Sequence, residues 1–197
     1  LAGGFGTRLS EYTEIIPKPM VKINNKEILL RIINIYKFHG FDDFYIALGY
    51  KSEFIKEFFG ANKSNIIQFR VGSGNVNINL IDTGIDSMTG GRVKLLQEYI
   101  GNETFMLTYG DGVSDINITD LVDFHKHQKK MVTVTAVRPP ARFGAIKLDG
   151  NKVVHFEEKS QLNEGWINGG FFVIEPKFFD YISEPSTVLE RQPLETV

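Results

Sequence analysis

Apolar and polar residues alternate along the chain with two different periods. Within residues 27–39 the apolar positions are spaced as on one face of an α-helix, and Gly40 follows as a stop signal. Residues 53–59 predict a second helix, with Ser52 placed as its N-cap. Shorter apolar runs, one of which alternates strictly with polar residues, are typical of β-strands. The first half therefore predicts these two helices, a flexible connection over 72–74, and strands over 44–48, 66–69 and 75–82.

The second half of the chain continues the alternation of strands and helices. Asp149-Gly150 between two short runs is a strong turn signal and predicts a β-hairpin of 144–148 with 152–158. The other predicted elements are helices over 91–100 and 118–130 and strands over 104–109, 131–137 and 166–173. We therefore expect an α/β fold in a single domain, residues 1–197. Its core would be a Rossmann-like, doubly wound and mostly parallel sheet, with the hairpin added to it.

Composition and charge narrow the class of protein. The 197 residues carry 22 Lys and Arg against 24 Asp and Glu, so no basic surface indicates nucleic acid or an anionic membrane as a partner. The absence of cysteine excludes disulfides, thiolate metal sites and a thiol nucleophile. No apolar run approaches the roughly 20 residues that span a bilayer. We expect a cytoplasmic protein and, because Leu1-Ala2 reads as the close of a strand, a piece of a longer chain.

The strongest chemical signal is the segment Leu-Ala-Gly-Gly-Phe-Gly-Thr-Arg-Leu at residues 1–9. Glycines at 3, 4 and 6 allow the main chain to lie close to a ligand, so that its N–H groups converge on an anion. Arg8, together with Lys18 in Pro-Lys-Pro, would add the positive charge that a nucleotide's phosphates need. A flexible turn with two solvated cations is the alternative.

Two commoner glycine-rich motifs do not fit this segment. A P-loop requires G-x-x-x-x-G-K-[ST], and no register of the three glycines supplies the second glycine followed by Lys and Ser or Thr. A dinucleotide fingerprint starting at Gly4 requires Gly or Ala at position 9, where Leu9 stands. Both classes of nucleotide site are therefore excluded here.

Asp111 is the candidate metal ligand. It follows a predicted strand and lies between Gly110 and Gly112, which leave room for a ligand. Ligands of such sheets bind beyond the carboxyl ends of the strands. A lone carboxylate there can hold Mg²⁺ that also binds substrate phosphates and water. The alternative is a turn aspartate that bonds its own main chain.

Residues 82–92 are candidates for reading a nucleobase. Arg92 could donate to the acceptors O2 and N3 of cytosine, while Ser87 or a main-chain carbonyl could accept from its N4 group. The alternative is an N-capped helix start with a solvated arginine.

Two later segments could bind a second, phosphorylated substrate. Glu158 could accept hydrogen bonds from sugar hydroxyls while Lys159 neutralises a phosphate, although solvated charges at a strand end are the alternative. Gly169 and Gly170 lie within a predicted strand, which indicates either close approach of a ligand or a β-bulge.

The sequence resembles the sugar-1-phosphate nucleotidyltransferases, also called nucleotide-sugar pyrophosphorylases. The segments that carry the resemblance cover nearly the whole chain: L-A-G-G-F-G-T-R-L, K-P, D-T-G, S-M-T-G-G-R, T-Y-G-D-G-V, P-P-A-R-F-G-A and I-N-G-G-F-F-V. The pattern is most similar to members that make CDP-glucose and pyrophosphate from CTP and α-D-glucose 1-phosphate. The resemblance implies Mg²⁺ as cofactor, a homo-oligomer, and a role in bacterial surface polysaccharide.

The resemblance also assigns roles to particular residues, with the hairpin region beside the sugar site. Arg8 and Lys18 would be catalytic, and Asp111 would bind the metal. The implied nucleotide-binding residues are Leu1, Ala2, Gly3, Gly4, Gly6, Thr7, Ser87, Gly90, Arg92 and Gly110. The implied sugar-phosphate-binding residues are Gly144, Glu158, Lys159, Asn168 and Gly169.

The sequence departs from the family pattern at three points. Ser160 stands where the family usually has Pro, the connection between Phe69 and Val76 is shorter, and no residue before Val197 matches a second metal-binding aspartate. Two other functions stay open: transfer from UTP or dTTP, or to another sugar 1-phosphate, and a non-catalytic regulatory subunit that binds a nucleotide sugar. Retention of charged residues for both substrates favours the enzyme.

Overall fold

The computed structural model describes residues 1–4, 15–61, 64–139, 145–157 and 165–197. Within these ranges the strands are β1 (Lys22–Ile23), β2 (Lys26–Glu27), β3 (Asp43–Leu48), β4 (Ile66–Val71), β5 (Gly74–Asp82), β6 (Phe105–Thr108), β7 (Val132–Val137), β8 (Ala145–Asp149), β9 (Lys152–Glu157) and β10 (Ile167–Ile174). The α-helices are α1 (Ile28–Phe38), α2 (Ser52–Phe59), α3 (Thr89–Leu95), α4 (Gln97–Ile100), α5 (Ile118–Gln128) and α6 (Gln192–Thr196). The described residues also form 3₁₀ helices at Lys18–Met20 and Pro176–Tyr181.

Two three-stranded sheets form the centre of the fold. In the first, β5 lies between β3, which is parallel to it, and β4, which is antiparallel. In the second, β10 lies between β6 and β7 and is antiparallel to both. β6 and β7 therefore run in one direction, although they are not paired with each other.

Residues 1–3 join the two sheets. Leu1 N donates to Thr108 O and Gly110 N donates to Leu1 O, each at 2.7 Å, which is the pattern of a parallel neighbour of β6. On the other side, Ala2 N donates to Ala47 O at 2.9 Å, so the same segment runs alongside β3. The strands β3, β5, β6 and β7 and residues 1–3 thus share one direction, and β4 and β10 oppose it. The predicted α/β fold is confirmed: most of these strands run parallel in direction, and β4 and β10 are antiparallel to their neighbours.

Both faces of the second sheet are covered, as a doubly wound fold requires. Successive residues of a strand point to opposite faces. Phe171 packs with Ile32 and Tyr36 of α1 and with Ile118 of α5 on one face. Its neighbour Phe172 belongs to a separate cluster with Val93 of α3 and the residues Phe178, Phe179 and Leu189.

Most predicted elements are present, and the differences have local causes. Ser52 is the first residue of α2 rather than its cap; Lys51, in a left-handed conformation, precedes the helix and supplies no capping side chain. The connection 72–74 is not a flexible loop but a tight hairpin, since Val71 pairs with Gly74. The glycines of β10 lie at a register shift between Asn168 and Phe172, where Gly170 has φ +80°.

A cavity of about 750 Å³ lies between β3 and β6, below the point where residues 1–3 join them. Most of its lining is apolar, and the Tyr36 hydroxyl bonds to the Thr108 hydroxyl at its wall. Within the described part of the chain, no helix has the length and apolar character to cross a bilayer.

Candidate active site

The carboxyl ends of the parallel strands meet at one edge of the fold. Residues 1–3 lead there to Gly4, β3 to Gly49, β5 to Thr83, and the strand β6 to Asp111. Gly4 is exposed, and a Cβ added to it would meet no atom within 4 Å. Its main chain is therefore open to a ligand, at the edge of the sheet where α/β proteins bind them.

Lys18 and Asp111 meet at this edge although they are 93 residues apart in sequence. The Lys18 Nζ lies 3.3 Å from Asp111 Oδ2, and the side chains are 19% and 42% exposed. Pro19, the residue after Lys18, packs so closely against Gly110 that a Cβ on Gly110 would lie 3.0 Å from its ring. The 3₁₀ helix thus places a cation beside the candidate metal ligand.

The buried side chain of Arg92 forms hydrogen bonds with three neighbouring segments: residues 1–3, the end of β3 and the residues after β5. Its Nη1 donates to Leu48 O at 2.9 Å, and to Thr83 Oγ1 and Gly84 O at 2.7 Å each. Its Nη2 donates to Gly3 O at 2.9 Å and to Ile85 O at 3.2 Å. Arg92 is therefore a bridge between the glycine-rich segment and the ends of β3 and β5.

This position of Arg92 corrects the prediction of a guanidinium that reads the base. The residue is only 3% exposed, and both terminal nitrogens are occupied by protein acceptors. Burial lowers the pKa of Arg92 below the usual arginine value, and the charge of Asp82 partly opposes that effect. Arginine nevertheless stays protonated in proteins, so a buried positive charge lies under the glycine-rich segment.

Other predicted nucleotide residues also have protein partners. Gly90 N donates to Thr187 O at 2.9 Å, and the Ser87 hydroxyl donates to Thr83 O. A Cβ on Gly110 would lie 2.7 Å from Leu1 O, so that glycine permits close approach of two strands. These contacts are made within the protein, and they hold the main chain and side chains at this edge in place.

Tyr109 links the nucleotide side of the edge to the predicted sugar side. Its hydroxyl donates to Glu190 Oε1 at 2.6 Å and accepts from Asn168 Nδ2 at 3.3 Å. Burial, and then the hydrogen bond and charge of Glu190, raise the pKa of Tyr109 above the ordinary value for tyrosine. The hydroxyl is therefore protonated, and a donor, at neutral pH.

Gly169, the other predicted sugar residue in the described ranges, packs against β7. A Cβ there would lie 2.9 Å from Thr135 O, so the glycine allows the two strands to approach. The remaining predicted residues, Gly6, Thr7, Arg8, Gly144, Glu158 and Lys159, lie outside the described residues.

Sequence reasoning did not identify Tyr109, Glu190 or Thr89 as part of this edge. Tyr109 adjoins Gly110-Asp111, so its position in sequence was a usable signal. Nothing in the sequence next to Glu190 or Thr89 indicates that they belong to this edge. The Thr89–Glu190 bond joins residues that are 101 positions apart, and the Tyr109–Glu190 bond joins residues that are 81 positions apart.

The described residues contain no group of three or more His, Asp or Glu side chains that could enclose a metal ion. A single carboxylate such as Asp111 is compatible with Mg²⁺. Proteins commonly hold this ion by one or two carboxylates, and substrate phosphates and water complete its coordination. Gly112 beside it leaves open space, since a Cβ there would meet nothing within 4 Å.

Comparison with known proteins identifies the family of the chain. The nucleotidyl transferase family model matches residues 1–196, so the chain belongs to that family and is a nucleotidyltransferase. It is 45% identical, over its whole length and 82% of the relative, to the glucose-1-phosphate cytidylyltransferase of Salmonella typhi. It is 40% identical, with the same coverage, to the probable glucose-1-phosphate cytidylyltransferase of Bacillus subtilis.

A solved structure supports the fold. The crystal structure of HddC from Yersinia pseudotuberculosis matches with a TM-score of 0.72 over the whole chain and 84% of that protein. Sequence identity is 23%, so this likeness concerns architecture alone.

Proposed function

We propose that the protein transfers the cytidylyl group of CTP to α-D-glucose 1-phosphate, giving CDP-glucose and pyrophosphate. The observation that carries the proposal is the meeting of Lys18 and Asp111 beside the open main chain of Gly4, in a chain 45% identical to a cytidylyltransferase. A cation, a carboxylate and free N–H groups are the components that bind a metal-associated nucleotide phosphate.

The Lys18–Asp111 pair is suited to exchange partners when a nucleotide binds. An ion pair that is partly exposed contributes at most about 1 kcal/mol, so separating its members is inexpensive. Lys18 can then turn to the α-phosphate, where its charge offsets the negative charge that develops during transfer. Asp111 is the residue that would hold Mg²⁺, which would supply charge neutralisation to the phosphates when bound.

The reaction needs no covalent bond to the protein. A phosphate oxygen of glucose 1-phosphate forms a bond to the α-phosphorus of CTP, while the bond from that phosphorus to the bridging oxygen of the β-phosphate breaks. Pyrophosphate leaves with the electron pair, and no proton transfer is required for the balance. The protein therefore contributes alignment and charge neutralisation, the two effects that dominate phosphoryl-type transfers.

The residues outside the described ranges take part in the proposal through resemblance. Arg8, with Gly6 and Thr7, would hold the β- and γ-phosphates and assist the departure of pyrophosphate. Lys159 would hold the phosphate of the sugar against its repulsion from CTP, and Glu158 and Gly144 would contact the sugar.

Pyrophosphate release from a substrate panel tests the proposal. The panel combines CTP, UTP, dTTP or GTP with glucose 1-phosphate or mannose 1-phosphate in the presence of Mg²⁺. We expect release that is highest with CTP and glucose 1-phosphate, and CDP-glucose as the matching product by mass spectrometry. A higher kcat/KM with another pair would replace the proposed substrates, and tight CTP binding without release from any pair would indicate a regulatory subunit.

A further inference from the structure

A continuous series of hydrogen bonds, most of them exposed to solvent, crosses the edge of the fold between the two proposed subsites. Gly170 N donates to Asn168 Oδ1 at 2.8 Å, and Asn168 Nδ2 donates to the Tyr109 hydroxyl. That hydroxyl donates to Glu190, whose second oxygen, Oε2, accepts from the Thr89 hydroxyl at 2.7 Å. We call this series the Glu190 network.

Each donor in the Glu190 network has one consistent direction. The Asn168 amide is bonded at both its oxygen and its nitrogen, which fixes its orientation. The Thr89 hydroxyl accepts from Leu189 N at 2.9 Å and donates to Glu190. The Tyr109 and Thr89 hydroxyls both donate to the carboxylate of Glu190. This carboxylate is the only group of the network that accepts two hydrogen bonds and donates none.

The network joins elements that carry different substrates in the proposed function. Asn168 lies on β10, in the segment assigned to the sugar phosphate, and Tyr109 is two residues before Asp111. Thr89 is the first residue of α3, which carries Arg92. Tyr109 also fills the space that Gly170 leaves, since a Cβ there would lie 2.9 Å from the tyrosine ring. Glu190 is therefore connected, through the Tyr109 hydroxyl, to the Asn168 amide on the proposed sugar side.

We propose that Glu190 is a positioning residue for the sugar-phosphate half of the site, acting through Tyr109 on Asn168. This inference rests on the proposed function. Because the carboxylate fixes the Tyr109 hydroxyl, that hydroxyl presents a lone pair to Asn168 and holds the amide in one orientation. Glu190 acts on glucose 1-phosphate without touching it, and on the nucleotide side its bond ends at the Thr89 hydroxyl, which is not among the predicted nucleotide-binding residues.

Steady-state kinetics of Glu190→Gln and Tyr109→Phe test this role. The glutamine has a single acceptor and adds donors, so it cannot accept from both Tyr109 and Thr89. The phenylalanine retains the ring packing on Gly170 and removes the hydroxyl. We expect each variant to raise the KM for glucose 1-phosphate about tenfold, which corresponds to the loss of one hydrogen bond, and to change the KM for CTP less than about twofold.

Tyr36→Phe is the matched control. Tyr36 also has a hydroxyl bonded at the end of β6, to Thr108, but it lies at the cavity wall and makes none of the bonds of the Glu190 network. Its KM values should stay within about twofold of wild type for both substrates. Thermal unfolding of all three variants shows whether a kinetic change reflects lost folding.

A double-mutant cycle with Glu190→Gln and Tyr109→Phe shows whether the two residues act through one shared route or independently. If Glu190 acts through Tyr109, the double variant should raise the KM for glucose 1-phosphate no more than either single variant does. Multiplying effects would overturn the proposed route, and an equal rise in both KM values, or a loss of melting temperature with unchanged KM values, would overturn the positioning role. Wild-type enzyme without activity on CTP and glucose 1-phosphate would instead refute the proposed function, so the two failures are distinguishable.

Discussion

The guanidinium of Arg92 donates a hydrogen bond of 2.9 Å to the carbonyl of Gly3, across 89 residues of sequence. The same side chain holds Leu48 O at the end of β3 and Gly84 O after β5. Gly3 is thus anchored from the interior by a buried cation, whereas at the neighbouring Gly4 an added Cβ would meet no atom of the described residues within 4 Å. The contact therefore helps to set the shape of the edge where the proposed function places the nucleotide phosphates.

Replacing Arg92 should affect stability and should not affect the choice of base. Arg92→Met breaks the buried hydrogen-bond network through which one cation joins Gly3, Leu48 and Thr83, and we expect it to lower the free energy of unfolding by about 3 to 5 kcal/mol. Arg92→Lys keeps the charge and some of the bonds, so it should lose less. Urea unfolding measures both values.

The base preference is measured on Arg92→Lys by the ratio of kcat/KM for CTP to that for UTP. Because the side chain faces main-chain carbonyls, this ratio should match that of wild type even where activity falls. A ratio that moves toward UTP would return Arg92 to a base-reading role.

Alanine substitutions at Gly3 and Gly4 should affect different properties: the first the free energy of unfolding, the second the affinity for CTP. A Cβ at residue 3 would lie 2.4 Å from Arg92 Nη1 and 2.9 Å from Gly49 N, so Gly3→Ala should cost about 1 to 3 kcal/mol of unfolding free energy. A Cβ at residue 4 meets nothing, so Gly4→Ala should unfold like wild type yet bind CTP more weakly, since its methyl group would occupy ligand space. Calorimetric CTP titration and urea unfolding give the two quantities, and equal effects of both variants on stability would contradict the assignment.

Lys18→Ala should lower kcat strongly, although the Lys18–Asp111 ion pair contributes little to the free energy of unfolding. Loss of a cation that acts on the transferring phosphate is expected to lower kcat by roughly 100- to 1,000-fold. Lys22→Ala is the control, because Lys22 also forms an ion pair with a carboxylate, at 3.4 Å from Glu27. That variant should retain wild-type kcat. Comparable kcat values for the two variants would refute the role of Lys18.

Two tyrosines should make the protein less stable in alkali. Burial raises the pKa of Tyr36 to about 12, and the pKa of Tyr109 is raised as well. The unfolded chain loses these protons near pH 10 while the folded chain keeps them, so unfolding free energy should fall as pH rises through about 10 to 12. Tyr36→Phe should show a shallower fall between about pH 10 and 12 in urea unfolding. An identical slope would contradict burial of Tyr36.

Local patterns predicted much of the fold. The helix Ile28–Phe38 ends before Gly40, which has φ +84°, and the Asp149-Gly150 hairpin forms as the turn residues indicated. Ser52 was misassigned because capping depends on which residue leaves the helical conformation, and Lys51 is that residue. Boundaries of this kind are set by neighbours in space as well as in sequence.

The candidate site was predicted in part because some of its chemistry is local. The glycine-rich segment, Lys18 and Asp111 are recognisable by residue type and by their position after strands. Arg92 was not, since an arginine beside two glycines suits a ligand as well as a buried carbonyl, and only tertiary packing decides between them. Glu190 was not identified either, because its partner Tyr109 is 81 residues away.

The crystal structure of the protein with CDP-glucose and Mg²⁺ tests the central claim most directly. We predict the pyrophosphate group of CDP-glucose at the carboxyl ends of the parallel strands, bonded to the main chain at Gly4 and to Lys18, with Mg²⁺ on Asp111. The glucose should lie toward Asn168. CDP-glucose bound instead in the cavity between β3 and β6, with Lys18 and Asp111 still paired to each other, would contradict the account.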